Sequence, residues 1–169
     1  TARTVVETGL ELRDVMVIGS ARWVTTFRSA ELLELTPEGL VKTRLQPPPV
    51  QLAQVAFTPR VAWRAVADGN RVVMVHQLHV VDEVTKLTNP GPGAPYYGRP
   101  YCTASVVSSA LTVFDTKNGS VAWSRPIIGS LPVDVAVAPD RIAVAFAGGG
   151  QVLEYAAAGL DAPPSRFGG

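Results

Sequence analysis

Along this chain the apolar positions gather in short runs bounded by Gly, Pro, Asp and Asn, and nowhere do they form a helical stripe. The strongest helical candidate, AELLEL from Ala30 to Leu35, is too short to stand as a helix. Strand-type runs dominate instead. They also recur. Asp14 opens DVMVI and is followed 19 residues later by Leu33, Glu34 and Leu35; Asp134 opens DVAVA and is followed at the same separation by Leu153, Glu154 and Tyr155. Self-similarity on this scale predicts stacked supersecondary units, here small sheets.

Each unit offers three or four strands. Gly39, Gly119 and Gly159 end the third strand of each, six residues after Leu33, Val113 and Leu153. A glycine at a fixed turn position predicts a hairpin with positive φ. The second strands follow Arg22, Arg71 and Arg141. Aligned on those arginines, one face carries Trp23, Thr25 and Phe27, then Val72, Met74 and His76, then Ile142, Val144 and Phe146. The opposite face is apolar too, with Val24, Val73 and Val75, and Ala143 and Ala145 among its residues. A sheet that is apolar on both sides is covered on both sides, as blades of a β-propeller are by their neighbours. The predicted fold is therefore all-β: about three antiparallel blades at 10–46, 55–128 and 130–165. Three cannot close a ring, so the expectation is an incomplete propeller. The missing blades belong either to the rest of a longer protein or to further copies assembling through open blade edges.

The middle unit carries an insertion, 82–109, which includes NPGPGAP and reads as a long loop. Pro47, Pro48 and Pro49 mark a stiff connection before it. Both termini read as trimmed, since the chain opens TARTVVETGL and closes on Gly168 and Gly169.

Composition narrows the function classes. The chain is 47% hydrophobic and 17% charged, with net charge +1 and no run of like charge. Nothing here calls for nucleic acid as a partner. No apolar stretch is long enough to span a bilayer as a helix. Cys102 is the single cysteine, so no internal disulfide, cysteine-based metal site or C-x-x-C-H haem attachment can form.

Candidate chemistry is sparse. His76 reads as a core histidine or as a group facing a central channel. His76 and His79 point to opposite faces of a regular strand and do not make a metal pair. Gly148, Gly149 and Gly150 join two strands and form a hairpin, not a phosphate loop. Repeated acids such as Asp14, Asp115 and Asp134 suit turn hydrogen bonds. The non-repeated Arg64, Tyr96, Tyr97, Arg99 and Tyr101, with His76, are the residues expected to touch a partner, because Tyr and Arg are enriched where proteins bind one another. No catalytic residue is identified, no metal ligand set is found, and cofactor-binding residues are unknown.

The stretch TVFDTKNGSVAWSRPIIGSLPVDVAVAPDRIAVAFAGGGQVLEY resembles the YVTN-type propeller repeat. Asp115 and Gly119 match its first turn, and Pro132, Val135, Val137, Pro139 and Asp140 its second strand. FDTKNGSVAW is also similar to the quinoprotein propeller repeat, with Trp123 at the tryptophan position. A narrower resemblance runs through Phe27-Arg28-Ser29-Ala30-Glu31, Ala62-Trp63-Arg64, His76-Gln77 and Tyr96-Tyr97-Gly98. It links the chain to propeller parts of bacterial cell-envelope proteins in which a c-type cytochrome or di-haem peroxidase-like domain follows. That resemblance implies a periplasmic or secreted electron-transfer protein, with no cofactor in this chain and any haem c in a missing domain.

Two function classes follow. One is a non-catalytic propeller module that binds a protein partner or the remainder of its own propeller. The alternative is a lactonase- or quinoprotein-like propeller enzyme whose metal or cofactor ligands lie outside this chain.

Overall fold

The computed structural model describes residues 5, 11–52, 55–81, 107–158 and 164–166. Every regular element among them is a β-strand. The first sheet runs β1 (Leu12–Ile18), β2 (Ala21–Thr26), β3 (Leu32–Leu35) and β4 (Val41–Leu45). The second runs β5 (Val50–Leu52), β6 (Val55–Asp68), β7 (Arg71–Val80), β8 (Val107–Asp115) and β9 (Ser120–Ile127). The third runs β10 (Pro132–Val137), β11 (Arg141–Phe146), β12 (Gln151–Ala156) and β13 (Ser165–Arg166). In all three, neighbours in sequence are neighbours in the sheet and every pairing is antiparallel. Consecutive meanders of this size, packed face to face, are propeller blades.

The turns follow from local chemistry. The Asp115 carboxylate accepts hydrogen bonds from the Lys117 and Asn118 amides, and Gly119 takes φ +62 to close the β8–β9 hairpin. Gly39 does the same at φ +87 before β4. Gly159 lies outside the described residues.

Two apolar interfaces hold the sheets together. At the first, Met16, Trp23, Leu32 and Leu45 of the first sheet meet Ala62, Ala65, Val72, Met74 and Phe114 of the second. At the other, Val73, Val75, Leu111, Val113 and Ile127 meet Val135, Ile142, Val144, Phe146, Leu153 and Tyr155 of the third. The middle sheet is thus buried on both faces. The first sheet is covered only in part on its other face: on the side turned away from Trp23, Val15 and Val17 are 73% and 71% exposed, while Val24 and Leu33 are buried.

The arginine-based alignment of faces needs correcting. Trp23 and the pair Val72 and Met74 are not the same side of a repeated blade; they face each other across the first interface. Ile142 and Val144 do match Val72 and Met74, since each pair faces the sheet before its own, and they meet Val73 and Val75. Side chains alternate along a strand, so a slip of one residue between units exchanges the two faces, and strands apolar on both sides give no polar residue to reveal it.

The middle sheet also projects beyond its neighbours at one end. β6 is 14 residues long, and its outer half pairs with β5 and with the end of β7. Phe57, Leu78 and Ala110, backed by Val50, Leu52, Val55 and Val80, form a small third core there. The strand after the insertion begins at Val107, ahead of the expected start near Leu111, because Ser108 and Ser109 pair with Leu78 and Gln77.

Candidate functional site

The inner strands of the sheets converge on β6, which touches both β1 and β10. Each inner strand breaks register: β1 between Leu12 and Val15, β6 midway at Arg60, Ala62 and Arg64, and β10 between Pro132 and Asp134. Bulges re-aim side chains. Here they bring Asp14, Arg64 and Asp134 together from three sheets. Arg64 Nη1 donates to Asp14 Oδ1 at 2.7 Å, and its Nε lies 3.4 Å from Asp134 Oδ1. Asp14 is buried, and its Oδ2 also accepts the Ala65 amide at 2.8 Å, while its own amide donates to Thr25 Oγ1 at 3.0 Å.

Arg64, expected at a partner surface, is therefore a clamp between blades. Replacing Asp14 by Ala leaves the buried Ala65 N–H without an acceptor and removes the main partner of Arg64. Asp14→Ala is expected to cost roughly 2 kcal/mol of unfolding free energy in urea titrations. Asp134→Ala, at a mostly exposed carboxylate, should cost under about 0.5 kcal/mol.

His76 does not face a partner either. It is 0% exposed, on the side of β7 that carries Val72 and Met74. Its Nε2 lies 2.8 Å from Thr112 Oγ1, which lies 2.7 Å from Ser124 Oγ. Its Nδ1 lies 3.3 Å from the Gln77 carbonyl. A carbonyl only accepts, so Nδ1 carries the proton and Nε2 accepts from Thr112. Burial pushes the imidazole pKa down from 6.5 to about 4, against the opposing backbone hydrogen bond. The ring is a neutral core group at neutral pH. His79 parts from it, as strand alternation requires, and is exposed. Tyr96, Tyr97, Arg99, Tyr101 and Cys102 lie outside the described residues.

Two clefts adjoin at the projecting end of the middle sheet, sharing Gln77. One, of about 350 Å³, is lined by Trp63, Gln77, Ser109, Leu131 and Pro132 among others. Its far wall, the 128–131 connection, is pinned by Ser109 Oγ and Tyr155 Oη, which donate to the carbonyls of Gly129 and Ile128. Gly129 is required there: at φ +135, a Cβ would sit 2.4 Å from the Phe146 ring. Trp63 is held edge-on against Phe27, with ring centroids 6.1 Å apart, and its carbonyl accepts from Arg13 Nε. The other cleft, of about 400 Å³ and more open, is lined by Arg28, Arg60, Val61, Gln77 and His79. The insertion leaves and re-enters at this same end, from β7 and into β8.

Arg60 and Trp63 gave no positional signal in the sequence. Pro59 was the available hint, since a proline inside a strand implies an edge or a bulge. No helix among the described residues is long and apolar enough to cross a membrane.

No family model matches the chain, and no curated protein matches it. Among solved structures, it is similar to the crystal structure of BamB from Moraxella catarrhalis, at 13% identity and a TM-score of 0.27. The match covers 90% of this chain and 60% of that one, so the chain spans less than two thirds of the length of that protein. The blade architecture rests on the sheets themselves and not on this likeness.

Proposed function

We propose that the chain is a non-catalytic propeller module that engages a protein partner at the end where its middle sheet projects. One observation carries this reading. The β6–β7–β8 extension has its own small core and carries two adjoining clefts that share Gln77 on one face. A rigid wall with two adjoining grooves offers shape at little entropic cost to a partner. Of the residues expected to touch a partner, Arg64 is engaged in the blade clamp and His76 in the core, so the contact is assigned to the clefts.

The finer reading makes the partner a c-type haem domain in the periplasm or outside the cell. It rests on the resemblance through Phe27–Glu31, Ala62–Arg64, His76–Gln77 and Tyr96–Gly98. A Soret absorption band in native material, carried by a partner that co-purifies, is its own check.

Selection from a random-peptide display library tests the general reading. Peptides bound by the protein should be lost by Ser130→Trp, which obstructs the first cleft, or by Arg60→Glu, which reverses a charge in the second. They should survive Lys117→Glu in the opposite end's β8–β9 turn. Selected peptides indifferent to both end variants would overturn the proposal. So would stabilisation by several degrees with calcium or pyrroloquinoline quinone, which is the mark of the enzyme alternative.

A further inference from the structure

We infer that the more open cleft recognises an acidic polypeptide segment, an inference that rests on the binding-module reading above. Three of its five lining side chains are Arg28, Arg60 and His79, and among the described residues no carboxylate lines it. The register places Arg60 opposite Gln77 and Thr58 opposite His79, so Arg60, Gln77 and His79 share one face of the β6–β7 hairpin. Arg28 arrives from the β2–β3 connection of the neighbouring sheet. Basic groups from two sheets therefore converge on one groove.

Within the cleft, Arg28 pairs with Glu11, whereas Arg60 is exposed and forms no ion pair among the described residues. The Arg28–Glu11 pair beside it, at 2.8 Å, joins two exposed side chains. It is weak enough for an incoming carboxylate to displace Glu11.

The backbone supplies a second, independent observation. Val61, in the wall of this cleft, has φ +39. That is the left-handed region, which a β-branched residue avoids. The conformation is held in place by its neighbour: Ala62 is fully buried, and its amide donates to the Phe27 carbonyl at 2.8 Å. Strain of this kind persists where the surrounding structure over-determines it, and it clusters at binding sites. The bulge is what sets Arg60 at the rim of the groove.

Carboxylates fit better than a nucleic-acid backbone. The planar guanidinium fork matches a carboxylate in two hydrogen bonds. Phosphate tracking needs an extended basic stripe, and this chain has net charge +1 with no run of like charge.

Fluorescence anisotropy with a fluorescein-labelled hexaglutamate peptide tests the inference, with hexalysine as control. Hexaglutamate should bind, weaken with salt, and lose about tenfold in affinity with Arg60→Ala, a surface change with little effect on folding. Arg22→Ala, at the opposite end of the first sheet, should leave the affinity unchanged. No binding of hexaglutamate, or equal binding by Arg60→Ala, would overturn it. Tighter binding of a single-stranded oligonucleotide of equal charge would overturn the choice of polypeptide. If display selection still returned neutral peptides that depend on this end, the acidic preference alone would fall and the binding module would stand.

Discussion

Acidification from pH 6.5 to pH 4 should remove roughly 3 kcal/mol of stability through His76 alone, at up to about 1.4 kcal/mol per pH unit. The folded-state pKa is depressed to about 4, while the unfolded chain titrates near 6.5. Between those values the unfolded state binds more protons than the native one. Stability is therefore fully present above pH 6.5 and falls as pH falls through the window. The physical cause is desolvation. A protonated ring would place a charge on the face shared with Val72 and Met74, and its second N–H would point at Thr112, which now donates to that nitrogen. The carboxylates act lower. Burial pushes Glu31 up, but hydrogen bonds from Arg44 and Ser29 outweigh it, and the Lys42 hydrogen bond holds Glu34 down. Both pKa values lie below the ordinary 4.5, so their contributions are lost only as pH falls further. Urea unfolding of wild type and His76→Gln at half-unit steps from pH 4.5 to 7.5 separates the two. The wild-type curve should slope and the variant's should be nearly flat in that window. Parallel curves would show that His76 does not carry the effect.

Trp23→Ala should cost about 3–5 kcal/mol, the range for truncating a large buried aromatic. Trp23 is 2% exposed and lies at the centre of the first interface, against Ala62, Ala65, Val72 and Met74. The small residues on the middle sheet exist to receive a large one. They cannot expand into the cavity that its removal leaves, because strand pairing fixes them. Val17→Ala, on the outward face, is the matched control and should change stability by less than about 0.5 kcal/mol. Equilibrium urea titrations report both. A lower m-value for Trp23→Ala would mean that the first sheet separates before the rest. A loss under 1 kcal/mol would show that the two sheets do not depend on this contact.

The strands and turns were legible because they are local. Gly39 and Gly119 adopt positive φ, and the Asp115 side chain caps its own turn, within a few residues of where the sequence places them. The coverage of the middle sheet was legible too, since Val73 and Val75 alternate with Val72 and Met74 and every one of them is buried. The site was much less legible. Arg60 matters through a bulge and a neighbour's loop, and Gln77 through two clefts that exist only after three sheets pack.

What the amino-acid order determined unaided is an all-β chain of short antiparallel meanders, because strand period and turn chemistry are properties of adjacent residues. Which face meets which, and what each charged group does, was settled only by packing. Leu33, Val113 and Leu153 look equivalent from their glycines, yet only Leu33 and Leu153 share a side, that of the preceding blade, while Val113 turns toward the sheet that follows its own. Arg64 finds Asp14 across 50 residues, through an electrostatic contact that no local pattern encodes.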